Sequence, residues 1–159
     1  AALNGNAYGG GAELAVRCDL RVMDWNAVIC FSEVRLGLMP DHGGGAALPR
    51  LVGVSRAADL VLTGRRVGAD EALSMGLVNR ICDRGMAAGE AMAIAHLISE
   101  NGPRAVRHAL ALIRGSGNST YDESLAEETD RAVSLIVSGE CFHGVSALLE
   151  KKKPVFPDI

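Results

Sequence analysis

A run of three glycines at residues 9–11 is the feature of this sequence that most constrains its fold. The run leads into a segment in which Leu14, Ala15 and Cys18 fall on one helical face. Glycines at this point allow a tight turn from a strand into a helix, and they leave the backbone N–H groups of the helix N-terminus uncovered. The sequence therefore predicts a strand–turn–helix unit, with a helix over residues 10–19 whose first turn can stabilise an oxyanion.

Two glutamates accompany this turn. Glu13 falls in the first helical turn, and Glu33 follows twenty residues later. Each has an ordinary interpretation, Glu13 as a helix acid paired with an arginine such as Arg17, and Glu33 as a solvated charge at the end of a strand. Two acids beside an oxyanion-stabilising turn can instead move protons in acyl-group chemistry through an enolate-like state. We expect such a catalytic pair, with the Gly10 N–H as an oxyanion donor.

The order of apolar runs and turn residues predicts an α/β chain in two parts. Residues 1–82 alternate short apolar runs with glycines, and strands are expected over residues 20–23, 28–31 and 77–81. Residues 83–150 have nearly continuous helical periodicity, with helices expected at about 85–100, 103–114, 121–137 and 141–150. Thr120 and Glu123 have the spacing of a capping box at the third of these helices.

Charge and composition exclude several classes of function. The net charge of −3 argues against a nucleic-acid-binding face, and no apolar run approaches the length of a membrane span. The four cysteines lack the spacing of metal ligands, so we expect reduced, buried thiols and no metal. A dinucleotide fingerprint is also disfavoured, because Leu14 stands where its third glycine belongs. Neither nucleic acid nor membrane is expected as a partner.

Longer motifs follow one another along the whole chain. They cover residues 2–15, 33–40, 48–53, 63–67, 76–79 and 144–152. In these motifs the chain resembles the crotonase superfamily, and more closely its enoyl-CoA hydratase/isomerase group. The resemblance implies an α/β fold in which residues 1–82 form the C-terminal part of a crotonase-like ββα spiral carrying the catalytic acids. Residues 83–159 would then form a helical trimerisation subdomain.

The resemblance also implies that the first two-fifths of the usual protein are absent. In the family that part supplies the other oxyanion donor, a strand-end alanine N–H, and most of the coenzyme A contacts. We therefore expect the isolated 159-residue segment to have little activity. The family forms homotrimers, often paired into hexamers, and a trimer or hexamer is expected here. The cytoplasm of a bacterial cell is the expected location, with the mitochondrial matrix and the peroxisome as alternatives.

The activity implied is that of an enoyl-CoA hydratase, a hydro-lyase that adds water across the 2,3 double bond of a 2-enoyl-CoA thioester. Gly10 matches the family's oxyanion donor, and Glu13 and Glu33 match its two acids. No cofactor is implied, because coenzyme A is part of the substrate. Substrate contacts are expected from Gly9, Leu38, Pro40 and Asp41 and, at the nucleotide end of coenzyme A in a neighbouring subunit, from Lys151.

One loop departs from the family pattern. Asp41 and His42 replace the small residues that commonly precede the glycine pair, which leaves the choice of acyl group open. Two alternatives to hydration also remain open. One is a Δ3,Δ2-enoyl-CoA isomerase, in which one acid shuttles a proton, and the other is a non-catalytic member kept as a binding or assembly subunit.

Overall fold

The computed structural model describes residues 1–157, which fall into two compact units. The first is Ala1–Ala93, and the second is the described part of Ile94–Ile159. The sequence predicts the boundary between the two parts of the chain between residues 82 and 83. Residues 158 and 159, the end of the predicted helical part, lie outside the described residues. The observed division lies inside a helix, because the first turn of that helix is anchored to a strand of the first unit.

The first unit contains two small sheets. Its strands are β1 (Ala2–Leu3), β2 (Ala7–Tyr8), β3 (Val22–Asp24), β4 (Val28–Cys30), β5 (Val67–Gly68) and β6 (Arg80–Cys82). One sheet has the order β1-β3-β6 and is parallel, with Leu3 beside Met23 and Met23 beside Ile81. The other has the order β2-β4-β5, in which β2 is parallel and β5 antiparallel to β4.

Helices surround these strands and close the core. They are α1 (Gly10–Arg17), α2 (Gly44–Val52), α3 (Val54–Thr63), α4 (Ala69–Ser74) and the first turns of α5 (Ala87–Ser99), with a 3-10 helix at Glu33–Leu36. Aliphatic residues with little or no exposed surface build the core, among them Met23, Ile29, Leu48 and Leu60. Helices α1 and α2 pack against each other and both contribute residues to this core.

Asp24 fixes the start of α5. Its buried carboxylate accepts hydrogen bonds from the backbone N–H groups of Gly85, at 2.7 Å, and Ala87, at 3.1 Å. These bonds, the Gly85 bond foremost, hold the pKa of Asp24 below its ordinary value. A negative charge at a helix N-terminus also complements the helix dipole. The first turn of α5 is thereby tied to the end of β3, which explains why residues 83–93 belong to the first unit.

The second unit is helical. It contains the rest of α5, then α6 (Pro103–Gly115), a 3-10 turn at Ser116–Asn118, α7 (Tyr121–Ser138) and α8 (Glu140–Leu149). The predicted capping box is confirmed, because Glu123 N–H donates to Thr120 Oγ1 at 3.3 Å and Thr120 N–H donates to Glu123 Oε2 at 2.8 Å. Glu140 caps α6 in turn, since its carboxylate accepts from the N–H groups of Arg104 and Ala105, each at 2.9 Å.

Several predicted boundaries were wrong, among them the strand predicted over residues 20–23, which is Val22–Asp24, and the helix predicted over residues 10–19, which ends at Arg17. The strand predicted over residues 77–81 begins only at Arg80, because the N–H groups of Leu77 and Val78 both donate to the Ala72 carbonyl and close the turn after α4. Glu33, for which a solvated charge at the end of a strand was the ordinary interpretation, is instead buried in the first turn of the 3-10 helix. A hydrophobic pattern does not separate these cases, because a short apolar run fits a strand or a turn equally well.

The cysteines and the membrane prediction can also be compared with the structure. All four cysteines are free, but only Cys30 is buried, and Cys141 is exposed, so the expectation of buried thiols was wrong for most of them. Among the described residues, no single helix combines the length and apolarity of a membrane span. Helices α7 and α8, with a bend of 72° between them, reach that length and apolarity only when the two are taken together.

Candidate active site

The glycine turn between β2 and α1 lies at the centre of the site. Gly9 has a φ of 53° and a ψ of −126°, a backbone conformation that side-chain-bearing residues rarely adopt. Its N–H donates to the Cys30 carbonyl at 2.9 Å, which extends the pairing of β2 with β4. A Cβ on Gly9 would lie 3.5 Å from Oε1 of Glu33. The turn therefore requires a glycine, and it brings the second predicted acid directly beside the first helix.

Gly10 is the first residue of α1. Its N–H is one of the amides that an α-helix leaves without an intrahelical partner, and the helix dipole adds positive potential at this end. An oxygen that gains negative charge is stabilised at such a position. Gly10 therefore has the placement that the predicted oxyanion donor needs.

Glu13 is fully buried one turn into α1, with 0% of its surface exposed. Its Oε2 accepts hydrogen bonds from the backbone N–H groups of His42 and Gly44, each at 2.8 Å, and its Oε1 accepts from Asp41 N–H at 3.3 Å. The absence of a side chain on Gly44 makes this possible, because a Cβ there would lie 2.5 Å from Cγ of Glu13. The loop of residues 41–44 thus wraps the carboxylate in three amides.

These amides decide the charge of Glu13. Burial by itself raises the pKa of a carboxyl, but the hydrogen bonds from Gly44, His42 and Asp41 favour the ionised form. Together with the influence of Glu33 they outweigh burial and leave the pKa of Glu13 below its ordinary value. Glu13 is therefore a carboxylate near neutral pH, which is the form of a general base.

Glu33 has the opposite environment. It is 8% exposed, and within the described part of the chain both of its carboxyl oxygens are buried without a hydrogen-bond donor. Burial is the main cause that raises the pKa of Glu33. The nearby backbone N–H of Glu33 opposes this, but the interaction of its side chain with that of Glu13 and the negative charges of Glu13 and Asp41 raise the pKa further. A protonated carboxyl has a hydrogen to give where an ionised one can only accept. The two glutamates thus share one site in which each shifts the other's pKa.

Asp41 and His42 form the outer edge of the site. His42 Nδ1 lies 2.7 Å from Oδ1 of Asp41 and 3.6 Å from Oε1 of Glu13, and both loop side chains are more than two-thirds exposed. Ligand atoms of these three residues lie within 4.8 Å of one another, as the ligands of one metal ion do. Backbone N–H groups already point at the Glu13 carboxylate, however, and their positive ends disfavour a cation. The absence of a metal remains a prediction.

The remaining predicted residues lie in two places. Leu38 is exposed and its N–H donates to the Glu33 carbonyl at 3.0 Å, while Pro40 is buried just before the loop around Glu13. Lys151 belongs to the second unit, where it is exposed with a φ of 55° and its N–H donates to the Leu148 carbonyl at 3.1 Å. The structure therefore brings Gly9, Gly10, Glu13, Glu33 and Asp41 together in the first unit.

Sequence reasoning missed two contributors. Gly44 was not among the predicted site residues, yet it is the glycine that lets α2 approach the Glu13 carboxylate. Arg17 was considered as a partner of Glu13, but its Nη1 donates to the His42 carbonyl at 3.1 Å and so holds the loop. The second glycine run, residues 43–45, was the available signal for the close approach.

Comparison with known proteins supplies a family context for this geometry. The sequence profile of the family described as enoyl-CoA hydratase/isomerase matches residues 1–158. The chain is 38% identical to the short-chain-enoyl-CoA hydratase of Clostridium acetobutylicum over 159 residues, which covers 96% of this chain and 59% of that protein. It is 38% identical to the crotonyl-CoA hydratase of Syntrophomonas wolfei over 156 residues, covering 98% of this chain and 60% of that protein.

The fold agrees with solved structures as well. The crystal structure of an enoyl-CoA hydratase from Bacillus anthracis has a TM-score of 0.92 to this chain at 36% identity, and the match covers 96% of this chain and 59% of the other. The chain therefore spans about six-tenths of the length of the relatives it matches.

Proposed function

Since the chain belongs to the enoyl-CoA hydratase/isomerase family and has the crotonase fold, we propose that it carries the acid–base side of a 2-enoyl-CoA hydratase site. The observation that supports this most is the pair of buried glutamates with opposite environments. Glu13 is ringed by three amides, and Glu33 has no donor among the described residues. Hydration needs one acid in each protonation state, which a shared site of this kind supplies.

The thioester carbonyl oxygen is placed at the Gly10 N–H in this proposal. Water addition at C3 moves the electron pair of the double bond toward that oxygen, which becomes enolate-like. A preorganised N–H with a helix dipole behind it stabilises the developing charge without reorganising. Removal of one such donor typically lowers the rate by about 10²–10³. The second donor of a complete oxyanion hole is proposed to come from outside these residues.

The two carboxyls divide the proton transfers. Glu13, as a carboxylate, takes a proton from water while the water oxygen bonds to C3. Glu33, as a carboxylic acid, gives its proton to C2 as the enolate electrons return to form the C2–H bond. The product is a 3-hydroxyacyl-CoA, and the two carboxyls exchange their proton states with solvent before the next turnover. General acid–base help of this kind contributes about 10²–10⁴ to the rate.

Three partners and contacts complete the proposal. The substrate is an acyl-CoA thioester, and Leu38, Pro40 and Asp41 are proposed to border its acyl group. Lys151 is proposed to contact the nucleotide end of coenzyme A in a neighbouring copy of the chain. Exposed apolar side chains on α7 and α8, such as Ile136 and Leu148, support a homo-oligomer, because solvent-facing apolar groups favour burial against a partner.

Isotope incorporation tests this function. Crotonyl-CoA is incubated in ¹⁸O-labelled D₂O with the longest natural polypeptide that contains the chain, and separately with the 159-residue chain itself. We expect the first to place one solvent oxygen at C3 and one deuterium at C2, and the chain alone to do so only slowly.

The alternatives give different outcomes when a parallel incubation with a 3-enoyl-CoA is added. Conversion of a 3-enoyl-CoA to the 2-enoyl isomer without uptake of solvent oxygen would select the isomerase and reject hydration. Absence of any turnover by the longer polypeptide would favour a binding subunit. A Glu13→Gln variant provides the background rate, since glutamine has nearly the same size but cannot take a proton from water.

A further inference from the structure

The loop that surrounds Glu13 is tied to α1 through the backbone of His42. Its N–H donates to Oε2 of Glu13 at 2.8 Å, and its carbonyl accepts from Nη1 of Arg17 at 3.1 Å. Glu13 and Arg17 are four residues apart on α1 and therefore face the same side of that helix. The peptide groups on both sides of His42 are thus fixed to one helical face.

The imidazole of His42 adds contacts of its own. Nδ1 lies 2.7 Å from Oδ1 of Asp41 and 3.6 Å from Oε1 of Glu13. A Cβ on Gly10 would lie 3.7 Å from Nδ1 and 3.9 Å from Cε1, so the ring also rests against the turn of the proposed oxyanion donor. Nδ1 is therefore the ring atom nearest to the Gly10 turn, and it also lies close to the carboxyls of Asp41 and Glu13.

The loop needs such a contact because its own backbone is permissive. Gly43 has a φ of 93° and Gly44 follows it, so two successive residues have no side chain to restrict the chain. Glycines lose more conformational freedom on ordering than other residues do. Amides presented by a loose loop donate to a carboxylate less effectively than amides that are already in place.

We propose that His42 is a positioning residue for Glu13, and that its imidazole, whose Nδ1 lies 2.7 Å from Oδ1 of Asp41 and 3.6 Å from Oε1 of Glu13, holds the loop of residues 41–44 so that the loop amides stay on the Glu13 carboxylate. The proposal relies on the proposed function only for the role of Glu13 as the base, and the contacts themselves do not depend on it.

The charged or titratable groups around His42 come from three elements. Glu13 of α1 and Asp41 of the loop lie near Nδ1, and Arg17 of α1 donates to the His42 carbonyl. Glu33 of the 3-10 helix interacts with Glu13 and Asp41. Loss of the ring would release the loop amides from Glu13 and remove the nearby Nδ1. Both changes weaken the stabilisation of the carboxylate, so both raise the pKa of Glu13 toward its ordinary value.

The titration of Glu13 measures this directly. The side-chain carboxyl ¹³C signal of Glu13, assigned by its loss in Glu13→Gln, is followed against pH in the 159-residue chain. In His42→Ala we expect the midpoint to move upward by about one pH unit. In His42→Asn it should stay near that of the unmodified chain, because the Asn amide places an N–H close to the position of Nδ1. His143→Ala, at an exposed histidine of α8, is the control for loss of an imidazole.

Further variants and outcomes keep the test decisive. His42→Gln keeps polar bulk but carries its N–H near the position of Nε2, so it should behave like His42→Ala, and it replaces that variant if His42→Ala does not fold. An unchanged Glu13 midpoint in both would overturn the proposal, and so would equal upward shifts in His42→Asn and His42→Ala. No substrate is involved, so failure of the hydration assay would leave this result standing.

Discussion

At the scale of single residues, the site depends on how two similar side chains receive different surroundings. Glu13 is the more deeply buried of the two, yet it is the one held as a carboxylate, because three backbone amides donate to it. Glu33 keeps a trace of exposure but has no donor among the described residues. Burial raises the pKa of both carboxyls, and the three amides that donate to Glu13 but not to Glu33 make the difference in charge.

This difference predicts an unusual effect of Glu33→Gln. A raised pKa means that the folded state binds the Glu33 proton more tightly than the unfolded state does. The stability that Glu33 contributes is therefore present below its unfolded pKa and is lost as the pH rises through the higher, folded pKa. Glutamine resembles the protonated acid and does not titrate. We expect the variant to lose hydration activity while its Tm at about pH 9 rises by about 2–4 °C.

Differential scanning calorimetry across the pH range measures this gain, which should shrink as the pH falls toward about 5. Glu128→Gln, at an exposed position on α7, is the matched control and should leave Tm unchanged. A lower Tm for Glu33→Gln at every pH would instead show that the Glu33 carboxylate is paired and stabilises the fold.

Some of these site residues could be predicted from the sequence. Gly10, Glu13 and Glu33 could be selected because glycine runs and acids carry their chemistry wherever they lie. The donors to Glu13 could not be selected, because they are backbone amides of Asp41, His42 and Gly44, and an amide has no signature in a sequence. The burial of Glu33 was also out of reach, since it follows from the packing of a short 3-10 helix.

At the scale of elements, the site is made where α1 and α2 begin. Both helices start after glycines, and the absence of side chains allows the two N-termini to approach each other. The ends of the predicted helices agree with the structure to within one or two residues, because helices such as α6 and α7 have clear apolar periodicity and recognisable starts. The short strands were less predictable, because two or three residues are too few to show an alternating hydrophobic pattern. β1, β2 and β5 are strands because of the neighbouring strands with which they form hydrogen bonds.

A pair of alanine substitutions separates the role of the two glycines in α2. In Gly44→Ala the new methyl would lie 2.5 Å from Cγ of the buried Glu13, so the helix or the glutamate must move. We expect a loss of stability of about 1–3 kcal/mol and a fall in kcat/KM, because the catalytic base is displaced. Urea unfolding and the crotonyl-CoA assay measure the two effects.

Gly45→Ala is the matched control on the neighbouring residue. Its methyl would meet only the Pro40 carbonyl and Cβ, at 3.6 and 3.8 Å, which is ordinary contact. Alanine is the better helix former by about 0.5–1 kcal/mol, so this variant should be as stable as the unmodified chain or more stable. Equal effects of the two substitutions would show that the close approach of Gly44 to Glu13 has no special role.

At the scale of the whole molecule, the site and the apolar helical surface belong to different compact units. The predicted site residues, Lys151 excepted, lie in Ala1–Ala93, and the second unit carries exposed apolar side chains on successive helices. The family match and the similarity to solved structures confirm the expected fold class. It could be predicted because motifs spaced along the whole chain resemble the family. The boundary between the units could not be read from periodicity, since it lies inside α5, where the apolar pattern continues.

Self-association is the prediction at this scale. Ile136 and Val137 of α7 are 61% and 80% exposed, and Phe142 of α8 is 65% exposed, so water contacts a large apolar surface. Sedimentation velocity should give a mass above that of one chain, and Ile136→Glu should shift the distribution toward the monomer. Ser134→Glu adds the same charge to an exposed polar position of α7 and should not. A monomer at every concentration would contradict the expected assembly.

The decisive measurement is the separate titration of the two glutamates. Carboxyl ¹³C signals of Glu13 and Glu33, assigned with Glu13→Gln and Glu33→Gln, are followed together from about pH 3 to about pH 9. We expect Glu13 to titrate below the ordinary glutamate pKa of about 4.3 and Glu33 to titrate above it. Titration of both near that value, or loss of the Glu33 proton before that of Glu13, would contradict the division of roles between the two acids.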